Sequence, residues 1–146
     1  MHGIDTTFLV QIELKEADGH RAAKDWLAAQ LDAHQPGLAL APQVLTEFIH
    51  VVTDSRRFEW PLSMEDALGR AQLWWEAVEV KPVFPNEESM RLSLQWLRDY
   101  RLGRKRLLDT DLAATYHTHG VSSLLTLNRA DFEVFEVFKF VDYQAE

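Results

Sequence analysis

Short apolar runs recur along this chain, each handing over to a longer amphipathic stretch, and an acid repeatedly stands close to the handover. "HGID" at 2–5 reads as a strand ending on Asp5. From 17 to 34, Ala22, Trp26, Ala29 and Ala33 recur every three or four residues, the period of a helix with one buried face. "PG" at 36–37 punctuates, "LALA" at 38–41 is a second strand, and Pro42 suits the first turn of a helix, where a missing N–H costs nothing. Val44, Leu45, Phe48 and Val52 share one face of that helix, with Glu47 at its edge. Further helices fall at 63–78, with Ser63 as N-cap and Asp66 in a capping-box-like position, and at 86–101. "VEVKPV" between them is a short strand or extended link. A helix over 109–119 ends at Gly120, "VSSLLTL" is a strand, and "EVFKFV" at 136–141 is the last one.

Strands that alternate with helices must run parallel, because each crossover returns the chain to the same edge of the sheet. The expected fold is therefore α/β, a central, mostly parallel sheet with helices on both faces, and 146 residues suit a single domain over 1–146. No apolar run reaches the ~18 residues that span a bilayer, and the N-terminal stretch lacks a basic start and a small-residue cleavage site. With no cysteine there is neither a disulfide frame nor thiolate chemistry, which agrees with a cytoplasmic setting. A net charge of −8 argues against a protein that coats nucleic acid generally. It does not argue against a nuclease, whose metal-binding cleft adds negative charge, and "RLGRKR" at 101–106 is a local basic run. That run is either a solvated loop or a phosphate contact.

In open parallel sheets, ligands bind beyond the carboxyl ends of the strands. Asp5, Glu47, Asp109 and Asp131 all map to that edge, so several carboxylates can meet there. Singly each has a plain structural explanation: Asp5 caps a helix starting at Thr6 or Thr7, Glu47 is a surface charge, Asp131 forms a turn with Asn128. Together they point to a cation, since clustered carboxylates repel. Asp109 and Asp111 lie about 200° apart around a helix, so only one faces the cluster easily. Asp109 is the site residue in this reading, and Asp111 an outward charge favoured by the helix N-terminus.

"GIDTTFLV", "LAPQVLTEFIHVVT" and "RKRLLDTDLAATYHTHGVSSLLTLNRADF" resemble, in order and spacing, the signatures of PIN-domain nucleases, most closely the VapC-type toxins of bacterial toxin–antitoxin pairs. The resemblance spans nearly the whole chain, although 54–100 matches mainly in helical pattern and length. It implies a PIN-like α/β/α sandwich and a metal-dependent endoribonuclease using Mg²⁺ or Mn²⁺. Carried over by position, the acids are Asp5, Glu47 and Asp109, with Asp131 as the available fourth carboxylate and Asn128 at the nearer position of the same motif. Thr6 and Thr126 match supporting polar positions. Arg104, Lys105 and Arg106, just before Asp109, are the candidates for RNA phosphate contacts. The resemblance further implies a small antitoxin covering the active-site groove and a homodimer of the toxin.

Hard oxygen ligands suit Mg²⁺, which keeps several waters and uses few carboxylates. His117 and His119 are two apart on a helix and do not form a one-face metal pair, which needs i, i+4 spacing. Trp74, Trp75 and Trp96 read as packing residues. The rival readings are a PIN-like module that binds RNA or protein without cutting, a doubly wound phosphotransfer module, and a DNA-directed metal nuclease. No Gly-rich phosphate loop supports the second of these.

Overall fold

A computed structural model describes residues 1–33 and 37–144. Its centre is a five-stranded, all-parallel sheet in the order β3-β2-β1-β4-β5. The strands are β1 (His2–Ile4), β2 (Leu38–Leu40), β3 (Val80–Pro82), β4 (Ser123–Leu125) and β5 (Lys139–Phe140). Helices α1 (Thr6–Glu13), α2 (His20–Asp32), α3 (Pro42–Val52), α4 (Met64–Glu76), α5 (Glu87–Asp99), α6 (Leu107–Thr118) and α7 (Arg129–Glu133) flank it. A single 3₁₀ turn, Arg104–Arg106, leads into α6. The α/β/α sandwich expected from the alternation is the one observed.

The connections explain where a site belongs. From β1 the chain builds outward through β2 and β3, then returns to lay β4 against the other side of β1. The sheet changes direction between β1 and β4, and beyond the carboxyl ends of that pair a crevice opens. The central strands are apolar on both faces because helices cover both: Ile4, Leu40, Leu124 and Leu125 are buried, as are Phe8, Phe48, Ala113 and Phe132 packed against them.

Local signals mostly predict the elements. Pro42 opens α3, the Ser63 hydroxyl accepts from the Asp66 N–H at 3.0 Å, and Asn86 and Ser89 close a reciprocal capping box on α5. Four features differ from the sequence reading. β1 stops at Ile4, one residue short of the expected end, and leaves Asp5 as the N-cap of α1. α7 forms where only a turn is expected, and α6 starts at Leu107 rather than at 109. The last strand shrinks to Lys139–Phe140, since Glu136 takes a left-handed φ of 56° and turns the chain just before it. Pro36 of the "PG" turn and His34 of the expected helix 17–34 lie outside the described residues. The tryptophans pack as expected: Trp74 and Trp96 are buried, Trp96 stacks on Phe135 with centroids 4.5 Å apart, and Trp75 sets its edge against Phe84. Among the described residues no helix is long and apolar enough to cross a membrane.

Candidate active site

β1 and β4 pair in register, Ile4 opposite Leu125, and the Asp5 N–H extends that ladder to the Leu125 carbonyl at 3.1 Å. The next pair, Asp5 and Thr126, therefore stands side by side at the mouth of the crevice. Asp5 occupies the N-cap position of α1, yet its side chain makes no capping hydrogen bond. Its Oδ2 accepts instead from the Thr126 hydroxyl at 2.6 Å and the Thr7 hydroxyl at 3.3 Å. Both hydroxyls are themselves oriented: Thr126 Oγ1 accepts from the Asn128 N–H at 2.9 Å and Thr7 Oγ1 from the Leu127 N–H at 3.0 Å. Burial pushes the Asp5 carboxyl above its usual range, the threonine hydroxyls and the Thr6 N–H oppose the rise, and the charge of Asp131 adds to it.

The second carboxylate comes from α3 and the third from the first turn of α6. Glu47 is raised by enclosure in the cleft and by the charge of Asp5, against the pull of Arg57, and the Thr6 hydroxyl favours its ionised form. Asp109 is pushed up to about 6, first by burial, then by the charges of Asp5 and Asp131, with Arg106 opposing. Each of these acids thus lies in the field of others, and Asp131 acts on both Asp5 and Asp109. Among the described residues, however, no three His, Asp or Glu side chains close on a point that could hold a metal ion unaided. The donor set is all oxygen and its mutual repulsion is the kind a hard cation relieves, so the chemistry fits Mg²⁺ or Mn²⁺ with water or phosphate oxygens as further ligands.

Two clefts meet at Glu47. One, of about 560 Å³, runs between α3 and α6 past His50, Lys105, Leu108 and Asp109. The other, of about 430 Å³, runs along α1 past Thr7 to Asn128 and Leu127. Arg57 borders both.

Several sequence-derived roles change. Thr6 keeps a supporting place, offering Asp5 its N–H and favouring the ionised form of Glu47, whereas Thr7, not singled out in the sequence, joins Thr126 as a hydroxyl that binds the Asp5 carboxylate. "DTT" does contain the signal, since two hydroxyls follow the acid. Asp111 does not face outward: it is partly buried and accepts from Gln43 Nε2 of α3 at 3.2 Å, and the start of α6 at Leu107 leaves Asp109 as the acid of its first turn. The basic run divides. Arg104 and Lys105 are exposed, while Arg106 is half-buried and donates to the Asp131 carbonyl, tying α6 to α7. His50 on α3 and Arg57 in the turn after it carry no sequence signal, as they reach the clefts only through the course of the chain there. His117 packs on Trp96 and Phe138, and His119 Nδ1 pairs with the Thr115 carbonyl at 2.8 Å, so both rings belong to the fold.

A parallel sandwich whose switch-point crevice gathers carboxylates from the end of β1, from α3 and from α6 defines a class of acid-centred α/β domains. Within it, residues 4–136 match the model of the PIN domain, and the chain belongs to that family. Its fold is similar to VapC20 of Mycobacterium tuberculosis, described as a sarcin-ricin loop cleaving toxin (16% identity over 85% of this chain and 87% of that one, TM-score 0.66). It is similar also to a chain of VapBC-1 from nontypeable Haemophilus influenzae (16%, 99% and 98%, 0.67) and of FitAcB from Neisseria gonorrhoeae (13%, 100% and 100%, 0.67). A comparison with curated proteins by sequence gives no match.

Proposed function

We propose that this chain is a metal-dependent endoribonuclease, a VapC-type toxin of a toxin–antitoxin pair, that hydrolyses RNA phosphodiester bonds with Mg²⁺ or Mn²⁺. The observation that carries the reading is the mutual charge coupling of Asp5, Glu47, Asp109 and Asp131 at the switch point of a PIN fold. Asp5, Glu47 and Asp109 would hold the cation, and Asp131 completes the acid set. Bound there, the ion supplies charge neutralisation for the phosphate and a lowered pKa for an attacking water.

The chain's own residues do the rest. Thr126 and Thr7 fix one carboxylate in advance, so little reorganisation is left for the loaded site. Lys105 and Arg57, on the cleft walls, are placed to meet phosphate oxygens, and Arg104 adds a further exposed cation beside them. Arg106 positions α7 and moderates the charge at Asp109. Structures of related toxins with their partners support a small antitoxin as the binding partner, and we extend the reading to a homodimer acting in the cytoplasm as one domain over 1–146.

The test is cleavage of a mixed RNA pool by antitoxin-free protein with Mg²⁺ or Mn²⁺. Discrete products that vanish with EDTA and in Asp5→Asn and Asp109→Asn are expected. No cleavage by folded protein that binds divalent ions would transfer the site to a non-cutting module, and cleavage of DNA alone would change the substrate.

A further inference from the structure

The loop between α3 and α4 supplies none of the clustered acids, yet it reaches both clefts. Residues 54–60, "DSRRFEW", are fixed through their backbone. Asp54 Oδ1 accepts the Arg56 N–H at 2.8 Å, and the Asp54 carbonyl accepts those of Arg57 and Phe58 at 3.1 and 3.2 Å. The two carboxylate oxygens of Glu16 accept the Glu59 and Trp60 N–H groups at 3.1 and 2.9 Å. Leu62 N–H then returns to the Val52 carbonyl at 2.8 Å and closes the base of the loop. A loop held in this way has little freedom left to lose when it binds.

Arg57 stands where the two clefts join. Glu47, Val51 and Arg57 border both, and Arg57 is the cation among them, near enough for its charge to act on Glu47. Asp54 pairs with Arg56 through one oxygen and with Arg57 through the other, each time at the guanidinium Nε and at 3.4 Å. Among the described residues the Nη groups of both arginines have no partner, and both side chains are exposed. A guanidinium anchored at Nε keeps its Nη donors for a second acceptor, and phosphate oxygens match them.

Phe58 turns in and packs on the core, whereas Trp60, two residues on, leaves its indole 70% exposed. Single exposed apolar side chains are ordinary. Trp60 differs because Glu16, which holds its N–H, lines the α1 cleft together with Arg57 and Phe58, so the ring is tethered to that cleft's wall. An indole stacks on whichever base is unpaired, without regard to its identity. Two guanidiniums beside a stacking ring match a chain of phosphates and bases, and their continuity with the clefts brings that chain to the acids. We propose that loop 54–60 is a clamp for single-stranded RNA: Arg57 holds the phosphate beside Glu47, Arg56 a neighbouring phosphate, and Trp60 stacks on a base of the strand that leaves along the α1 cleft. The inference rests on the ribonuclease reading and adds the element that grips the substrate.

Binding is measured first, without turnover. A short fluorescein-labelled single-stranded RNA of mixed sequence is titrated with EDTA-treated protein at several salt concentrations. Trp60→Ala weakens binding about tenfold and leaves the salt dependence unchanged. Arg57→Ala and Arg56→Ala each weaken binding and lower the slope of log K against log salt by about 0.7, the loss of one phosphate contact, and Arg57→Lys restores the slope. Each variant keeps the parent's circular dichroism. RNA binding that the three alanine variants retain in full, or a parent that binds no RNA at low salt, overturns the clamp and leaves the loop to a protein partner. A second arm follows cleavage of the same RNA with Mn²⁺. Clamp-dependent binding with no cleavage would sink the nuclease and keep the clamp. Cleavage and binding that the substitutions leave unchanged would keep the nuclease and sink the clamp.

Discussion

Asp5 and Asp109 belong to the same cluster but are held in opposite ways. The β1–β4 side surrounds its carboxylate with two hydroxyls, each locked by a backbone N–H of the loop after β4. On the α6 side, Asp109 accepts no hydrogen bond among the described residues and is fixed only by its place in the first turn, with Arg106 as the opposing charge. The first arrangement is built into the fold. The second is incomplete until a proton or a cation arrives, and the upward shift of Asp109 is the electrostatic record of that.

The largest effect should come from removing either acid. Asp5→Asn and Asp109→Asn are each expected to reduce metal-dependent cleavage by more than the roughly 10–100-fold typical of losing an outer hydrogen-bond partner. The comparison breaks if one substitution is silent in a single-turnover assay. Next comes the support of Asp5. Thr126→Val removes the 2.6 Å bond and Thr7→Val the 3.3 Å one, so Thr126→Val should cost about 10–100-fold in Mn²⁺ affinity and Thr7→Val less. A manganese titration followed by electron paramagnetic resonance checks the order, and equal losses would mean that the pocket and not the individual bond positions Asp5.

A further substitution addresses the junction of the two regions. The buried Tyr116 hydroxyl donates to the Ile4 carbonyl at 2.5 Å and accepts from the Ala41 N–H at 3.2 Å, pinning the residue before Asp5 to the N-cap of α3. Tyr116→Phe strands that N–H and should lower unfolding free energy by about 1–3 kcal/mol, measured by denaturant titration. A loss well below that range would show that the strand ends hold their positions without the pin.

Much of this was legible before any coordinates. Parallel strands follow from the βα alternation, and that Asp5, Glu47 and Asp109 share one edge of the sheet follows from their places after β1, on the helix after β2 and at the start of the helix before β4. What was not legible depends on distances between elements. The hydroxyl of Thr7 rather than Thr6 meets Asp5 because α1 begins immediately after β1, and Asp111 is a wall of the cleft rather than a surface charge because Gln43 of α3 meets it there. Arg106 reads as one of three equivalent cations until α7, a five-residue helix with no clear signal of its own, brings the Asp131 carbonyl against it.

The smallest expected effect is the most direct probe of the contrast, because it needs only metal-free protein. Asp109 has a folded-state pKa of about 6 against its usual 3.8, so the proton is bound more tightly in the folded chain. Its contribution is therefore fully present below about pH 4, declines as pH rises, and is lost above about pH 6. Asp109→Asn has no charge to form and should gain on the parent across that window. The rise from 3.8 to about 6 corresponds to roughly 3 kcal/mol at most, which solvent screening of a partly exposed group reduces to about 1 kcal/mol, or about 3 °C in Tm. Thermal melts from pH 4 to 8 in EDTA should show no difference at the acid end and a plateau above pH 6. Saturating Mn²⁺ should reverse the sign, since the parent then gains binding energy that the variant lacks. A difference that stays constant with pH would remove the electrostatic account of Asp109 and leave both acids equally preset by the fold.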